Sequence, residues 1–189
     1  MSLRKPQPRM TVADYLEMER TSEVRHEYLD GEIYAMSGAS KRHNQIGNNL
    51  NLQLDPHLRR GPCQVFTFEV EVYIEALNTF YYPDVVVSCD PEDSDEYFVK
   101  SPVLIVEVES PSTSIIDRRE KLLAYRKLSS LREYMILAPD KISATMFRLS
   151  EEGNWLSETM DPDDSLRLNS VDVTLPLASL YEGVDFPPQ

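Results

Sequence analysis

Acidic residues and one lysine gather in the segment from Tyr81 to Lys121, in a pattern that suits metal chemistry. Asp84 follows a proline at the start of an apolar run, and Glu107 and Glu109 lie within a second apolar run. Carboxylates at the ends of buried strands are costly to desolvate unless they bind a cation, and hard divalent ions prefer oxygen ligands. The segment therefore predicts a Mg²⁺ site, with Mn²⁺ as the other candidate ion, in which Asp84 and Glu107 are the ligands.

Phosphodiester hydrolysis is the chemistry that such a site would serve. The metal is held by a few carboxylates with open positions for water and phosphate, while a nearby cation stabilises the developing charge or the attacking hydroxide. Lys121, in the amphipathic segment after Glu107, is the candidate for that cation. The spacing between Asp84 and Glu107 leaves room for one strand, a loop and the approach of the next strand. Placement side by side at the sheet is therefore expected, although spacing alone does not establish it.

Each of these residues also has a purely structural interpretation. A Pro-Asp step can start or bend a strand and accept backbone hydrogen bonds, which would account for Asp84. Glu109 points to the same sheet face as Glu107, so it either joins the metal site or forms a salt bridge to Lys121 or Arg118. Lys121 itself is equally well explained as a solvated helix residue.

Two residues nearer the N-terminus are accessory candidates. Glu27 would add a carboxylate, although a residue beside a hairpin turn is more often solvated or paired across the strands. His43 would carry a proton or contact a phosphate, although a helix-surface histidine with local hydrogen bonds is the simpler explanation. Residues 110–113 lack the nearby histidine and oxyanion signals that a serine nucleophile needs, so they are interpreted as a loop.

Hydrophobic periodicity predicts an α/β (α+β) fold with a mixed sheet flanked by helices. Uniformly apolar runs indicate central strands covered on both faces, whereas strict alternation predicts one apolar face. The predicted elements are a capped helix from Thr11 to about Ser22, a hairpin over 26–36 with an Asp-Gly turn, a helix over 40–60, strands over 66–74, 82–88 and 103–108, a helix over 117–128 with Leu122, Leu123, Tyr125 and Leu128 inward, strands over 133–137 and 143–149, a turn over 151–154 and a helical turn over 177–181.

Length and composition favour one domain with its own core. The chain has 189 residues, of which 41% are hydrophobic, and we expect a single domain over residues 10–189. Residues 1–9 are expected to be the scar of an expression tag followed by a flexible N-terminus. Cys63 and Cys89 lack metal-type spacing and are expected to be reduced thiols in a cytoplasmic protein. No apolar run approaches the roughly 20 residues that span a bilayer, so no membrane partner is expected.

The strongly acidic character of the chain limits how it can bind nucleic acid. The formal net charge is −13 and the isoelectric point is near 4.6. The average field of such a protein repels polyanions, and broad electrostatic attraction to nucleic acid is not expected. Any nucleic-acid site must therefore be local.

Several linked motifs resemble the Uma-two family, whose domain is similar to restriction endonucleases of the PD-(D/E)XK superfamily. The resemblance covers roughly residues 10 to 180. It rests on the strings TVADYL (11–16), YLDGE (28–32), YPDVVV (82–87), LIVEVESPST (104–113), DRREK (117–121) and EYMI (133–136), together with His43 early in the long helix.

The resemblance implies a role for each candidate. Asp84 takes the place of the motif's Asp and Glu107 that of its second acid, both as metal ligands. Glu109 stands where the nuclease lysine would be, as is common among Uma-two proteins. Lys121 is the candidate replacement from the neighbouring helix, and Glu27 is the candidate for a further carboxylate from the N-terminal region.

Two functional hypotheses of different classes follow. In the first, the protein is a metal-dependent endonuclease acting on DNA, in which Asp84 and Glu107 hold Mg²⁺ and Lys121 assists water activation or charge stabilisation. Arg118 and Arg119 would contact the DNA backbone, and DNA binding would require the divalent ion. In the second, the protein is a weak or inactive member that uses the nuclease fold as a binding or regulatory module, with a homodimer as an expected assembly. The acid at position 109 and the net charge favour this alternative.

Overall fold

The described part of the chain folds into three α-helices and thirteen strands. The computed structural model describes residues 9–110 and 115–186, with residues 115–118 through their backbone. The helices are α1 (Val12–Thr21), α2 (Lys41–Leu58) and α3 (Ile115–Tyr125). The strands are β1 (His26–Leu29), β2 (Glu32–Ala35), β3 (Gln64–Thr67), β4 (Glu71–Ile74), β5 (Thr79–Tyr81), β6 (Val85–Ser88), β7 (Phe98–Val99), β8 (Pro102–Val108), β9 (Glu133–Leu137), β10 (Ala144–Leu149), β11 (Trp155–Met160), β12 (Ser165–Leu168) and β13 (Val173–Pro176).

The strands form three sheets. The largest has the order β11-β10-β9-β8-β6-β3, the second has the order β2-β1-β5-β4-β7, and β12 pairs with β13 in the third. Within the largest sheet β8 and β9 are parallel while the other pairs are antiparallel. The prediction of an α+β fold around a mixed sheet is confirmed.

Both faces of the largest sheet are buried. Val85 and Leu104 belong to a core that includes α2 and the β12–β13 hairpin. Val86 and Ile105, which alternate with them, belong to a second core that includes α3 and strands β4 and β5. A strand covered on both faces needs apolar residues at every position, which explains the unbroken apolar runs of β6 and β8.

Local signals at the N-terminal end are confirmed. The Thr11 side chain accepts a hydrogen bond from the Asp14 N–H and caps α1, and Ser22 is the residue at which that helix ends. Asp30 and Gly31 have φ angles of 47° and 98°. These positive values are the ones that a tight two-residue turn between β1 and β2 requires.

The prediction of one strand over residues 66–74 is wrong. The chain turns at Phe68, which has a φ of 58°, and β3 and β4 pair into different sheets. A Cβ atom added to Gly47 on α2 would lie only 2.6 Å from Cζ of Phe68, so this ring occupies the space that the glycine leaves. The period-two pattern continues through the turn, and nothing in it indicates a positive φ at a phenylalanine.

The prediction of two reduced thiols is also wrong, because Cys63 and Cys89 form a disulfide. Cys63 directly precedes β3 and Cys89 directly follows β6. The antiparallel register that pairs Gln64 with Ser88 brings the two cysteines opposite each other. Their sequence separation of 26 residues gives no hint of this register.

Two predicted elements differ in detail from the structure. The strand predicted over 82–88 begins only at Val85, and Leu123 is 57% exposed instead of facing inward. The expected tag scar and flexible terminus, apart from Arg9, and most of the loop expected over 110–113 lie outside the described residues. Among the helices that the structure describes, none combines the length and apolar character needed to cross a membrane.

Candidate active site

The two strands that carry the predicted metal ligands meet at one end of the largest sheet. Val85 of β6 pairs with Val106 of β8 in an antiparallel register, and continuing that register places Asp84 opposite Glu107. A cavity of about 380 Å³ opens at this end. Six of the predicted site residues line it, namely Glu27, His43, Asp84, Glu107, Glu109 and Lys121.

Asp84 is held by two hydrogen-bonding partners. Its Oδ2 accepts a hydrogen bond of 2.6 Å from the backbone N–H of Val108, and its Oδ1 lies 2.7 Å from Nε2 of His43. Burial alone would lower the pKa of His43, but the hydrogen bond to Asp84 and the negative charges of Asp84 and Glu107 raise it above its ordinary value. His43 therefore lies within the cavity as a partner of Asp84, and not on an exposed helix surface.

Lys121 lies between two carboxylates. Its Nζ is 2.8 Å from Oε1 of Glu27 and 3.4 Å from Oε1 of Glu107, and it lies 5.3 Å from the ring centroid of Tyr81. The side chain is only 12% exposed, which rules out the solvated-helix interpretation. The structure thus brings Lys121 into the cavity from α3 and uses it as an internal counter-ion for two acids.

Glu107 has a further partner that the sequence did not point to. The hydroxyl of Tyr125 donates a hydrogen bond of 2.8 Å to its Oε1. Burial raises the pKa of Glu107 above its ordinary value, although the charge of Lys121 and the Tyr125 hydroxyl act in the opposite direction. Tyr125 follows Lys121 by four residues on α3, so the helical repeat places both on one face. That repeat is the signal by which Tyr125 could have been found.

The donor set suits a hard divalent ion held by few protein ligands. Within residues 9–110 and 115–186, no group of three or more His, Cys, Asp or Glu side chains is placed to hold a metal ion by itself. Mg²⁺ is commonly bound through one or two carboxylates together with water and substrate phosphate oxygens, so a full protein cage is not required. Asp84 and Glu107 fit that requirement. Glu27 is held more closely by Lys121, at 2.8 Å, than Glu107 is, at 3.4 Å.

The two arginines predicted to contact DNA lie early in α3. Arg119 is exposed, and the side chain of Arg118 lies outside the described part of the structure. Their role in binding DNA stays a prediction.

A second polar cluster, centred on Glu19, contacts Tyr82 of the cavity and His26, which precedes Glu27. Glu19 of α1 accepts hydrogen bonds from the backbone N–H of His26, at 3.0 Å, and from the hydroxyl of Tyr82, at 3.1 Å. His26 precedes Glu27, and Tyr82 lies two residues before Asp84. Glu19 is only 4% exposed, and this buried side chain holds both the backbone beside Glu27 and the Tyr82 ring.

The contacts of Glu71 in the same cluster favour its protonated form. The hydroxyl of Tyr15 is within hydrogen-bonding distance of both the His26 carbonyl and the Glu71 carboxyl group. A tyrosine hydroxyl has one proton and a carbonyl has none, so both hydrogen bonds form only if Glu71 supplies the second proton. Burial raises the pKa of Glu71 to about 7, although the Tyr15 hydroxyl acts in the opposite direction.

We expect Glu71→Gln to remove part of the pH dependence of stability. The pKa of Glu71 is about 7 in the folded protein against an ordinary value of 4.5. Between these pH values the folded state keeps a proton that the unfolded chain has lost, so this contribution to stability disappears as pH rises. The free energy of unfolding of Glu71→Gln, relative to the parent, should increase by on the order of 1 to 3 kcal/mol between pH 5 and pH 8. Urea denaturation at the two pH values measures this difference. Glu69→Gln, at a side chain that is 70% exposed, is the control and should show no such change.

Comparison with known proteins identifies related sequences. The model of the Uma2 family, described as "Putative restriction endonuclease", matches residues 12–178. "Uncharacterized protein slr1290" of Synechocystis sp. is 32% identical over 182 residues, which are 96% of this chain and 96% of the relative. "Uncharacterized protein sll1609" of the same organism is 31% identical over 131 residues, which are 68% of this chain and 74% of the relative.

A solved structure has the same fold. It is described as the crystal structure of a putative nuclease belonging to DUF820 from Anabaena variabilis, and it superposes with a TM-score of 0.76. The match covers 92% of this chain and 98% of that one at 18% sequence identity. At this identity the similarity shows the shared fold alone.

Proposed function

Because this chain belongs to the Uma2 family, we propose that it is a metal-dependent endonuclease that hydrolyses phosphodiester bonds in DNA. The observation that carries the proposal is the convergence of three side chains on one cavity: Asp84 from the residue before β6, Glu107 from β8 and Lys121 from α3. Two carboxylates that approach each other at the ends of buried strands, with an ammonium group beside them, provide the charges that such hydrolysis needs.

Asp84 and Glu107 would hold the ion, with Mg²⁺ expected and Mn²⁺ as its substitute. When bound, the ion supplies Lewis-acid polarisation of a phosphate and neutralises the two acids. The His43 ring and the Val108 N–H orient Asp84, while Tyr125 orients Glu107. These contacts fix both carboxylates before substrate arrives, which lowers the cost of ordering them.

Lys121 would stabilise negative charge that develops at phosphorus or on the attacking water. Its ammonium group is held by Glu27 at 2.8 Å, so Glu27 serves as its anchor in the structure and is available to the ion only if that ion pair opens. The anchored lysine replaces the motif lysine that is absent at position 109.

We expect Lys121→Ala to reduce turnover by at least about tenfold at saturating Mg²⁺, because an ammonium group aimed at developing charge acts mainly in the transition state. Mg²⁺ affinity should not fall, since the variant removes a competing cation from Glu107. Single-turnover cleavage and calorimetric Mg²⁺ titration measure the two quantities. Lys127→Ala, at an exposed position just after α3, is the control. A rate equal to that of the parent would remove Lys121 from the mechanism.

The proposed function is tested by a panel of metals and substrates. Single-stranded DNA, duplex DNA and RNA are incubated with Mg²⁺, Mn²⁺ or EDTA, and fluorescence anisotropy measures DNA binding with Ca²⁺ against EDTA. We expect hydrolysis only with Mg²⁺ or Mn²⁺, and DNA binding that needs a divalent ion and is lost in Glu107→Gln. Glu120→Gln, at an exposed position on α3, should behave as the parent. Strong binding in EDTA that Glu107→Gln leaves unchanged would show that recognition lies elsewhere.

A binding or regulatory module is the second candidate, and one observation favours it. Lys121 already pairs with both Glu27 and Glu107, so each of these acids has a cationic partner without an added ion. The net charge of −13 also opposes capture of a polyanion. Absence of metal-dependent DNA binding and of hydrolysis across the panel would favour this candidate, and sedimentation analysis would then test the expected homodimer.

A further inference from the structure

Tyr34 stands out among the aromatic residues around the cavity because it is exposed. It lies on β2, the edge strand of the five-stranded sheet, and is 50% exposed. The register of the β1–β2 hairpin places it directly opposite Glu27. Tyr82 and Tyr134 also line the cavity but are 5% and 1% exposed. Tyr34 therefore presents an aromatic surface next to the charged groups of the site.

The wall that continues from Tyr34 has no charge. It is formed by residues 35–40, with the sequence Ala-Met-Ser-Gly-Ala-Ser, which lead from β2 to the first turn of α2. At Gly38 a Cβ atom would meet nothing within 4 Å, so this wall is open. A flat ring with small uncharged neighbours is suited to a planar group rather than to a phosphate chain.

The ring has a preferred orientation. Its hydroxyl donates a hydrogen bond of 2.6 Å to Oε2 of Glu32. Stacking on a base requires an accessible ring whose orientation is restrained, because each ordered side chain costs conformational entropy. Base stacking is also insensitive to net charge, which matters in a chain whose charge of −13 repels the phosphate backbone.

We propose that Tyr34 stacks on an unpaired base of the substrate, and that the cavity takes a single-stranded or extruded nucleotide instead of intact duplex. The proposal rests on the proposed function and names the substrate class of the same site. The side chains of Asp84 and Glu107 are only 13% and 15% exposed, so the acids are recessed below the surface. A cavity of about 380 Å³ falls in the range of sites that enclose a small molecule. A phosphate reaches recessed acids more readily when its nucleotide is not held in a rigid helix.

The test is binding of labelled oligonucleotides with Ca²⁺ in place of Mg²⁺. We compare the parent with Tyr34→Ala and Tyr34→Phe. Tyr97→Ala is the control, because Tyr97 is 44% exposed but lines a separate cavity. The substrates are a single strand, the same strand with abasic positions, the matched duplex, and a duplex with one mismatch. Tyr34→Ala should weaken single-strand binding by about 5- to 150-fold, the range that stacking contributes per base. Tyr97→Ala should bind like the parent. Tyr34→Phe keeps the ring but loses the contact with Glu32, so it should bind more tightly than Tyr34→Ala and no more tightly than the parent.

The same series separates the outcomes. The parent should bind the single strand more tightly than the matched duplex, and abasic substitution should abolish the effect of Tyr34→Ala. Tight binding of the mismatched duplex would show that the cavity takes an extruded nucleotide. Weak binding of that duplex, with tight binding of the single strand, would show that the substrate is a single strand. Either result agrees with the proposal. Equal affinities of parent and Tyr34→Ala would overturn it while the proposed function stands. If Tyr34→Ala changed the mass measured by sedimentation but not the difference in affinity between the intact and abasic strands, β2 would instead be assigned to contacts between copies of this chain. Absence of DNA binding by the parent under every condition would overturn the proposed function and this proposal together.

Discussion

Asp84→Asn is expected to slow DNA hydrolysis by more than about 100-fold while changing the free energy of unfolding little. Outer-shell partners of metal ligands typically contribute 10- to 100-fold, so loss of a ligand charge should exceed that range. The fold should tolerate the change, because the asparagine oxygen can still accept the N–H of Val108 while its amide faces Nε2 of His43. The substitution also removes one of several neighbouring negative charges.

Three measurements test this expectation. Single-turnover cleavage gives the rate, calorimetric titration gives Mg²⁺ affinity, and thermal denaturation in EDTA gives stability. Asp140→Asn removes the same charge at an exposed position away from the cavity and serves as the control. Identical Mg²⁺ binding by Asp84→Asn and the parent would eliminate Asp84 as a ligand.

The largest expected loss of stability follows Glu133→Ala. Glu133 begins β9, and its side chain is 2% exposed. Its carboxylate accepts hydrogen bonds from Nε of Arg148, from the backbone N–H groups of Asn169 and Ser170, and from the Ser170 hydroxyl. Truncation leaves Nε of Arg148, two backbone N–H groups and the Ser170 hydroxyl without their acceptor, and breaking a buried pair in this way costs about 3 to 5 kcal/mol.

Glu158→Ala provides a matched control for that experiment. Glu158 pairs with the same Arg148 but its side chain is 53% exposed, and exposed ion pairs contribute about 1 kcal/mol or less. Urea denaturation of both variants should show a difference of several kcal/mol. Equal losses would mean that the ion pairs of Arg148, rather than the buried acceptor role of Glu133, stabilise the attachment of the segment that follows β12.

Sequence patterns predicted which residues come together at the site, because their placement depends on the order and type of neighbouring strands and helices. Asp84 and Glu107 could be placed together because apolar runs identify central strands, and Lys121 could be placed beside them because a helix follows β8. The contacts that hold these residues could not be predicted. The Val108 N–H that binds Asp84 depends on the register between β6 and β8, and register follows from tertiary packing that periodicity does not encode.

The same limit explains the errors in the fold. The hydrophobic alternation through Phe68 is compatible with one strand or with two. It indicates which residues are buried, but it does not indicate where the backbone turns. The turn depends on the packing of the Phe68 ring over Gly47 of α2, which is distant in sequence. Pairing of Cys63 with Cys89 likewise requires the register between β3 and β6.

The bond between Cys63 and Cys89 also gives the site a distinctive topology. Residues 63–89 form a covalently closed ring that contains β3, β4, β5 and β6. Asp84 lies within this ring, whereas Glu27, Glu107 and Lys121 lie outside it. A single protease cut between residues 64 and 88 would therefore leave one molecule whose two pieces separate only after reduction. Asp84 is thus contributed by the closed ring. The other charged groups come from the segments before residue 63 and after residue 89.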